Sequence, residues 1–294
     1  MVAKVAPLVI IVGETASGKS ELAMSLAEKF NGEILCADSW TVYKGFDIGT
    51  AKPDQSEQNK IPHHLLDIAD PKEGFSAPKF KSAAIIAIHD VHSRGKLPFL
   101  VGGTGLYIDS LVFDYSFMPE GDQQFREQLE ALSLDKLRTY AIDNGLDLLQ
   151  IDSHNKRRLV RYIQNGGHIP SKADVRQNTC ILGITRDPDS LERRIINRVD
   201  KMFEQGLEKE VYGLAKKYGW DIEPMKGIGY REFKPYLDGR VSLGTVRENI
   251  MRATKQLAKK QRTWFKRNKY IQWIDDPSEA DKIIQDFLNN QQQN

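Results

Sequence analysis

Leu8-Val9-Ile10-Ile11-Val12, residues 8–12, run directly into Gly13-Glu14-Thr15-Ala16-Ser17-Gly18-Lys19-Ser20, residues 13–20. The first segment is apolar and mostly β-branched, which predicts a buried strand. The second segment fits the pattern G-x-x-x-x-G-K-S, and Leu22, Leu26 and Phe30 then recur at helical spacing. A strand, a glycine-rich loop and a helix in this order predict a phosphate-binding loop.

The residue types of this loop suit a diphosphate. Its glycines allow backbone N–H groups to surround phosphate oxygens, and the helix that follows adds the positive end of its dipole. We expect Lys19 to neutralise the diphosphate and the Ser20 hydroxyl to ligate Mg²⁺. The predicted phosphate-binding residues are Gly13, Glu14, Thr15, Ala16, Ser17, Gly18, Lys19 and Ser20.

Further strand patterns follow along the chain. Residues 32–37, 97–101 and 179–184 are short apolar runs, and residues 77–92 have a helical pattern. Strands that alternate with helices predict an α/β fold with a parallel, doubly wound sheet, whose ligand lies at the carboxyl ends of the strands. We therefore predict a P-loop NTPase-like parallel sheet core.

The middle of the chain has a different pattern. After Met118-Pro119 the sequence indicates helices without strands until Thr179, so residues 118–178 are predicted to form a helical insertion domain. The α/β core then consists of residues 1–117 and 179–288. Residues 289–294 are polar with nothing to bury, and they are predicted to be a disordered tail.

Composition excludes several classes of protein. The chain has 294 residues, of which 40% are hydrophobic, so it can bury a core and is not globally disordered. Cys36 and Cys180 lack metal-ligand spacing, which argues against a disulfide framework or a structural zinc site. No apolar run approaches the ~18 residues of a membrane helix, and we expect a cytoplasmic protein without a membrane segment.

Two predicted strands end in polar residues. The strand at 97–101 leads into Gly102-Gly103-Thr104, where an NTPase usually has an acidic residue for Mg²⁺. A hydroxyl at that place suits a hydrogen bond to a leaving diphosphate better than the positioning of a hydrolytic water. Asp38-Ser39 follows the strand at 32–37, so we interpret Asp38 as an acid/base group in the same crevice; the alternative is a turn cap.

Two other segments lack a strand or helix pattern. Residues 43–53, Tyr43-Lys44-Gly45-Phe46-Asp47-Ile48-Gly49-Thr50-Ala51-Lys52-Pro53, form a long irregular loop, and such loops in compact domains are usually functional. His63-His64 follows near a proline. Adjacent histidines rarely face one metal ion, so we expect a packing or loop role for this pair.

Basic residues are clustered in two places. Lys156-Arg157-Arg158 and Arg161 share a predicted helix in the insertion, and residues 249–274 contain eight Lys or Arg and no Asp or Glu. A cationic ridge at helical spacing is formed by Arg252, Lys255, Lys259, Arg262 and Lys266. Apolar residues occupy the opposite face, which predicts packing on a core. The ridge suits a nucleic-acid backbone, and the alternative is a solvated surface.

Several motifs, in order along nearly the whole chain, resemble those of the tRNA dimethylallyltransferases. They are residues 13–20, Asp38-Ser39, residues 43–53, Gly102-Gly103-Thr104-Gly105-Leu106-Tyr107, Gly227-Ile228-Gly229-Tyr230-Arg231-Glu232 and residues 255–265. That family transfers a dimethylallyl group from its diphosphate to N6 of the adenosine immediately 3′ of the anticodon, in tRNAs that read codons beginning with U. The resemblance implies this reaction, with tRNA and dimethylallyl diphosphate as substrates and Mg²⁺ as cofactor. We further expect a monomer.

The resemblance also implies roles for individual residues. Asp38 would be the base for the adenine N6, Thr104 would contact the bridging oxygen of the donor, and Lys19 and Arg231 would neutralise the departing diphosphate. The implied tRNA-binding residues are Asp38, Ser39, Trp40, Thr41, Thr104, Arg126, Arg157, Arg158, Leu159, Val160, Arg161, Lys226, Gly227, Ile228, Gly229, Tyr230, Arg231, Lys259, Lys260, Gln261, Arg262, Thr263, Trp264, Phe265 and Lys266. Glu14 stands where the family usually has Pro, which predicts an extra negative charge near the diphosphate.

Two other functions stay open at this stage. A small-molecule kinase would use the same loop with ATP, and Arg186, Arg193 and Arg194 lie where its lid could be. This reading leaves the cationic ridge unexplained. An RNA-binding protein gated by a nucleotide would explain the ridge, but it gives no reason for Asp38 and Thr104 to converge beside the phosphates.

Overall fold

The structure is a computed structural model that describes residues 5–118 and 121–292. The chain divides into two compact units, the larger formed by Met1–Val112 and Arg176–Asn294 and the smaller by Phe113–Val175. The bounds expected from sequence for the insertion, residues 118 and 178, each lie a few positions C-terminal to the corresponding bound of the smaller unit.

Within the described residues, the larger unit is built on a six-stranded parallel sheet with strand order β3-β2-β4-β1-β5-β6. The strands are β1 Leu8–Gly13, β2 Gly32–Ala37, β3 His63–His64, β4 Leu97–Gly102, β5 Thr179–Ile184 and β6 Gln272–Ile274. Every residue of β1, β2 and β4 is buried, as expected for strands of a parallel sheet covered on both faces. The predicted α/β class with a parallel core is confirmed.

The helices complete the element order. They are α1 Lys19–Lys29, α2 Gln55–Lys60, α3 Ala77–Ser93, α4 Gly105–Val112, α5 Gln123–Ala131, α6 Leu134–Asp143, α7 Lys156–Gln164, α8 Pro188–Glu204, α9 Leu207–Tyr218, α10 Lys234–Leu237, α11 Leu243–Phe265 and α12 Glu279–Gln292. Short 3₁₀ helices occur at Leu148–Gln150, Glu223–Lys226 and Arg231–Phe233.

The register of the sheet places the functional segments side by side. Ala37 at the end of β2 pairs with Gly102 at the end of β4, and Val12 of β1 pairs with the same Gly102. The next residues along these three strands are Asp38, the Gly103-Thr104 turn and the phosphate-binding loop. They adjoin at one edge of the sheet because parallel strands end at the same side.

Two apolar clusters support this edge. One packs α1 and α12 against the strands, through residues such as Leu26, Phe99 and Ile284. The other joins α8, α9 and α11 to the segment after β2, where Phe46 lies against Tyr230 with ring centroids 4.9 Å apart. Together they bury the apolar faces of the helices that surround the site, which holds those helices in place.

Strands β3 and β6 were not expected from the sequence, which indicated a loop at His63-His64 and only helices after residue 184. β3 has two residues, which pair with Ile34 and Leu35, and β6 has three residues, which pair with β5. Runs this short carry no measurable periodicity, so only their pairing with longer strands reveals them.

The prediction of a disordered tail is wrong for residues 289–292. Helix α12 continues to Gln292, and the Gln285 Nε2 donates a hydrogen bond to Asn289 Oδ1 at 3.1 Å. Phe287 and Leu288 pack against the core of the larger unit. A helix already held by such packing extends at little cost, because each added residue contributes a backbone hydrogen bond. Residues 293 and 294 lie outside the described residues.

The smaller unit packs α5, α6 and α7 around a core of its own, which includes Leu129, Leu137 and Leu159. Each helix begins at a residue whose side-chain oxygen accepts a hydrogen bond from a backbone N–H of the first turn, namely Asp122, Ser133 and Asn155. The prediction that this part of the chain is helical agrees with these elements.

Across residues 5–118 and 121–292, none of the helices is both long and apolar enough to cross a membrane.

Candidate active site

The phosphate-binding loop joins the end of β1 to the start of α1. Gly18 precedes the helix with φ of +95°, a left-handed conformation that favours glycine over residues with a side chain. Lys19 is the first residue of α1, and its Nζ donates a hydrogen bond to Glu14 O at 3.2 Å. The loop therefore brings the N-terminus of α1 and the ammonium group of Lys19 together.

Two arginines hold the loop carbonyls. The Arg186 Nε donates to Ser17 O at 3.0 Å, and the Arg194 Nε donates to Ala16 O at 2.8 Å. Arg194 also forms an ion pair with Glu21 at 2.7 Å. In the kinase reading these two arginines were candidates for a lid, but here they brace the loop backbone.

Gln261 of α11 connects two loops of the site. Its Oε1 accepts a hydrogen bond from Thr15 N at 2.7 Å, and its Nε2 donates to Gly103 O at 3.0 Å. The residue is 9% exposed. The expectation that its side chain contacts tRNA is therefore corrected, because the amide is engaged in bridging the phosphate-binding loop and the turn after β4.

Glu14 is bound by Arg262 of α11. Both carboxylate oxygens accept hydrogen bonds, from Arg262 Nε and, at 2.9 Å, from Arg262 Nη2. The hydrogen bonds to Glu14 raise the pKa of Arg262 above its usual value, and Arg262 Nη2 also donates to Arg186 O at 3.2 Å. The extra negative charge of the loop is thus neutralised, and Arg262 supports the loop instead of extending the cationic ridge.

A cavity lies at the carboxyl end of the sheet beside the loop. Its polar lining includes Thr15, Lys19, Ser20, Asp38, Thr41, Thr50, Arg198 and Gln261. Apolar side chains from α8 and α11, such as Met202 and Leu257, complete the wall. A polar end and an apolar wall in one cavity suit a ligand that carries both a phosphate and a hydrocarbon group.

Three charged side chains meet in this cavity. Burial and the nearby Arg198 lower the pKa of Lys19 to about 8, while Asp38 acts in the opposite direction. Burial also lowers the pKa of Arg198, again opposed by Asp38. Two cations crowded together in a partly buried space favour an anionic ligand, since its charge would relieve their repulsion.

Sequence reasoning missed Arg198. It lies on α8 one turn after Arg194, and its Nη2 donates a hydrogen bond to Thr50 O at 3.2 Å. The i, i+4 spacing from Arg194 was the available signal, but spacing alone does not tell which arginine of α8 faces the cavity.

Contrary to the expectation from sequence, Arg231 does not line the cavity. It begins a 3₁₀ helix, its side chain is 52% exposed, and its Nε donates to Glu232 Oε1 at 2.8 Å. It is not among the residues of the cavity wall. Arg198 is thus a second cation that lines the cavity beside Lys19, and the role expected of Arg231 toward the diphosphate stays a prediction.

Asp38 and Thr104 adjoin as predicted from the strand ends. The Asp38 Oδ1 accepts a hydrogen bond from Trp40 N at 2.8 Å, which fixes the orientation of the carboxylate. The Thr104 Oγ1 accepts from Ser39 N at 3.0 Å. Asp38 thus makes a turn contact, as the turn-cap interpretation requires, and it also lines the cavity. The turn cap and the acid/base role are therefore compatible.

Several residues implied to bind tRNA have buried side chains. Tyr230 and Phe265 are 1% exposed in the core of the larger unit, and Leu159 and Val160 lie in the core of the smaller unit. Direct side-chain contact with an RNA is corrected for these four, because each packs inward in its own unit. Thr41 is also buried, but it lines the cavity, and its Oγ1 has no hydrogen-bond partner among the described residues.

The cationic ridge is narrower than expected. Arg262 is partly buried against Glu14, whereas Arg252, Lys255, Lys259 and Lys266 are exposed, and Lys255 forms a surface ion pair with Glu192. Lys260 and Thr263 are also exposed, Lys226 pairs with Glu223, and the Trp264 Nε1 donates to Asp109 Oδ2 at 3.0 Å.

The smaller unit keeps its own basic surface. Arg157 and Arg158 are exposed on the first turn of α7, while Arg126 pairs with Glu130 on α5 at 2.8 Å. Arg161 is partly buried, and its Nη2 donates to Met118 O at 3.2 Å. Within this unit, Arg126, Arg157 and Arg158 are therefore the exposed arginines of the implied set.

The fold and the cavity define a P-loop protein with a carboxylate beside its phosphate-binding loop. The sequence model of the family described as IPP transferase matches residues 41–268. The chain belongs to this family.

Named relatives and solved structures agree with this assignment. A tRNA dimethylallyltransferase 2 from Geotalea uraniireducens is 41% identical, covering 92% of this chain and 92% of that protein, and a tRNA dimethylallyltransferase from Bacillus subtilis is 38% identical over 92% and 90%. The tRNA isopentenylpyrophosphate transferase of Bacillus halodurans has a TM-score of 0.77 at 35% identity, covering 98% of this chain and 99% of that one. A eukaryotic dimethylallyltransferase acting on tRNA has a TM-score of 0.81 at 28% identity, covering 97% and 80%.

Proposed function

We propose that the protein transfers a dimethylallyl group from dimethylallyl diphosphate to N6 of the adenosine 3′-adjacent to the anticodon, in tRNAs that read codons beginning with U. The observation that carries this proposal is the convergence of Lys19, Arg198 and Asp38 in one cavity at the end of the phosphate-binding loop. The names of relatives with about 40% identity over most of the chain support the same reaction.

Breaking the allylic C–O bond of the donor leaves negative charge on the diphosphate. Lys19, Arg198, the loop amides and the N-terminus of α1 are placed to stabilise that charge. Fixed donors aimed at developing charge in a partly buried site are among the strongest contributions to catalysis. We assign Thr104, at the adjoining strand end, to the bridging oxygen that departs with the diphosphate.

Asp38 is assigned to the proton on the adenine N6. The lone pair of this amine is delocalised into the ring, so it is a weak nucleophile, but its proton becomes acidic as the new C–N bond forms. A carboxylate within reach accepts that proton late in the step. Because Trp40 N binds Asp38 Oδ1, we assign the proton to the other oxygen of the carboxylate.

We propose Mg²⁺ as the cofactor because the site offers it oxygen ligands from Ser20 and from the substrate diphosphate. Ser20 lines the cavity in the first turn of α1, and Mg²⁺ commonly binds through one or two protein oxygens together with substrate phosphates and water. Among the described residues, no group of three or more His, Cys, Asp or Glu side chains could hold a metal ion. The Ser20 hydroxyl in the cavity fits an ion held by Ser20 and the diphosphate, where it would add positive charge.

The target adenine must leave the anticodon stack to reach Asp38, which costs a few kcal/mol. Exposed cations offer contacts to the RNA backbone that offset this cost. They are Lys259 on α11, Lys266 directly after it, and Arg157 and Arg158 on α7. We also propose that the protein acts as a monomer. Action on tRNA supports a cytoplasmic location.

The test is mass spectrometry of nucleosides after incubation of the purified protein with Mg²⁺, dimethylallyl diphosphate and unmodified tRNA. We expect an adenosine heavier by ~68 Da, the mass of C₅H₈, on the reaction class inferred from the site. A parallel incubation with ATP in place of the prenyl donor tests the kinase alternative. Consumption of ATP without a modified adenosine in either incubation would contradict the proposal.

A further inference from the structure

A carboxylate of α9 binds the irregular loop after β2. Glu210 accepts hydrogen bonds from three consecutive backbone amides, those of Asp47 at 3.3 Å, Ile48 at 2.8 Å and Gly49 at 3.1 Å. Its Oε1 also accepts from the Tyr230 hydroxyl at 2.7 Å. Four donors on one ionised group form strong hydrogen bonds, so this contact fixes the position of the loop.

The loop and Tyr230 fit closely together. A Cβ atom added to Gly49 would lie 2.5 Å from Cζ of the Tyr230 ring, which only a glycine avoids. The Tyr230 ring also packs on Phe46 at the start of the loop. This contact explains, by packing, why the motif at 227–232 accompanies the motif at 43–53 in one chain, and it assigns the buried Tyr230 a role within the protein.

The same loop holds Arg198. Thr50, the residue after Gly49, accepts a hydrogen bond at its carbonyl from Arg198 Nη2 at 3.2 Å. Gly49, Thr50 and Arg198 all line the cavity. A displacement of the loop would therefore move both a wall of the cavity and the hydrogen-bond acceptor that orients the guanidinium group.

We propose that Glu210 is a positioning residue for the transfer reaction. Glu210 holds residues 47–50, and these residues set the orientation of Arg198. Glu210 itself is outside the cavity wall, and it acts on the donor diphosphate only through the loop and Arg198. The inference rests on the role proposed above for Arg198.

The experiment compares Glu210→Gln with Glu208→Gln. Both glutamates lie in the first turn of α9, but Glu208 accepts a hydrogen bond from Tyr236 OH at 2.9 Å, whereas Glu210 accepts from the loop amides. An amide at position 210 directs N–H groups at backbone N–H donors and loses the charge. We expect a single-turnover rate about tenfold lower for Glu210→Gln and within about twofold of the parent for Glu208→Gln, with the KM for tRNA unchanged in both, since small misplacements near reacting groups cost up to ~10²-fold.

Arg198→Ala provides the second arm. If Glu210 acts through Arg198, adding Glu210→Gln to Arg198→Ala lowers the rate by less than about twofold, because residues that act as a unit are not additive. Equal effects of Glu210→Gln in both backgrounds, or equal effects of the two glutamate variants, would overturn the inference alone. A normal rate for Arg198→Ala would overturn the proposed role of Arg198, and the inference with it.

Thermal unfolding of each variant is measured beside the rates. If Glu210→Gln does not fold, Tyr230→Phe replaces it, since this change removes one of the four donors and leaves the three amide contacts. Tyr230→Phe is expected to lower the saturated single-turnover rate and to leave the KM for tRNA unchanged. An unchanged rate, or a change in the KM for tRNA alone, would count against the positioning role.

Discussion

Arg198 and Arg231 lie in different surroundings. Arg198 lines the cavity beside Lys19 and Asp38, whereas Arg231 is half exposed and bound to Glu232. If stabilisation of the diphosphate drives the reaction, the first arginine matters for the chemical step and the second does not.

We therefore expect Arg198→Ala to lower the single-turnover rate by ~10²- to 10³-fold, the usual effect of removing one donor to a developing anion. Arg231→Ala is the matched control, and its saturated rate should stay within about threefold of the parent, well short of that range. Rapid-quench measurement with saturating donor and tRNA gives both values. The reverse order of effects would restore Arg231 as the second cation.

The ammonium of Lys19 gives the donor site a pH dependence. Its pKa is lowered to about 8, so Lys19 is protonated below that value and loses its charge as the pH rises through about 8. Because only the cation attracts the diphosphate, donor binding should weaken between about pH 7 and pH 9. Titration of the donor across this range measures the effect, and Lys19→Arg should remove the dependence. A flat profile for the parent would show that Lys19 does not titrate there.

For single residues, the sequence was sufficient to predict a position in the site where the residue directly follows a strand. Asp38 and Thr104 follow β2 and β4, and their proximity follows from a parallel sheet alone. Arg198 could not be placed in the same way, because the face that α8 turns to the cavity depends on how the helix packs. The pairing of Glu14 with Arg262 joins residues distant in sequence, and no local rule predicts it.

Helix α11 carries two functions on different faces. Val246, Ile250 and Phe265 pack inward, and Gln261 and Arg262 hold the phosphate-binding loop. Lys259 and Lys266 are exposed. The spacing of the residues predicted the helix and placed Arg262 on the cationic ridge. Spacing alone does not reveal that the buried Glu14 carboxylate lies beside Arg262.

Salt dependence separates these functions. Each contact to a single-stranded RNA phosphate contributes ~0.7 to the slope of log K against log[salt], so Lys259→Gln with Lys266→Gln should reduce the slope for tRNA by about 1.4. Arg262→Gln should leave the slope unchanged and weaken donor binding instead, because it releases Glu14 beside the loop. A slope reduced by Arg262→Gln as much as by the lysine changes would return Arg262 to the ridge.

Across the whole molecule, the larger unit contains every charged group assigned to donor chemistry, and the smaller unit has its own core and basic helix. The sequence predicted the parallel sheet of the larger unit, because strand patterns alternate with helical patterns along the chain. The sequence did not predict β3, β6 or the last turn of α12. The two strands form by pairing with longer strands, and the last turn extends a helix that packs on the core.

The central claim is that Asp38 accepts the N6 proton while cations of the same cavity hold the diphosphate. The most direct measurement is the single-turnover rate of Asp38→Asn by rapid quench with saturating tRNA and donor, with Ser39→Ala as the milder control. The amide keeps the shape of the side chain and can still accept from Trp40 N, but it cannot take the proton. The account predicts a loss of ~10²- to 10⁴-fold, the range for a positioned general base, and a rate within about threefold of the parent would contradict it.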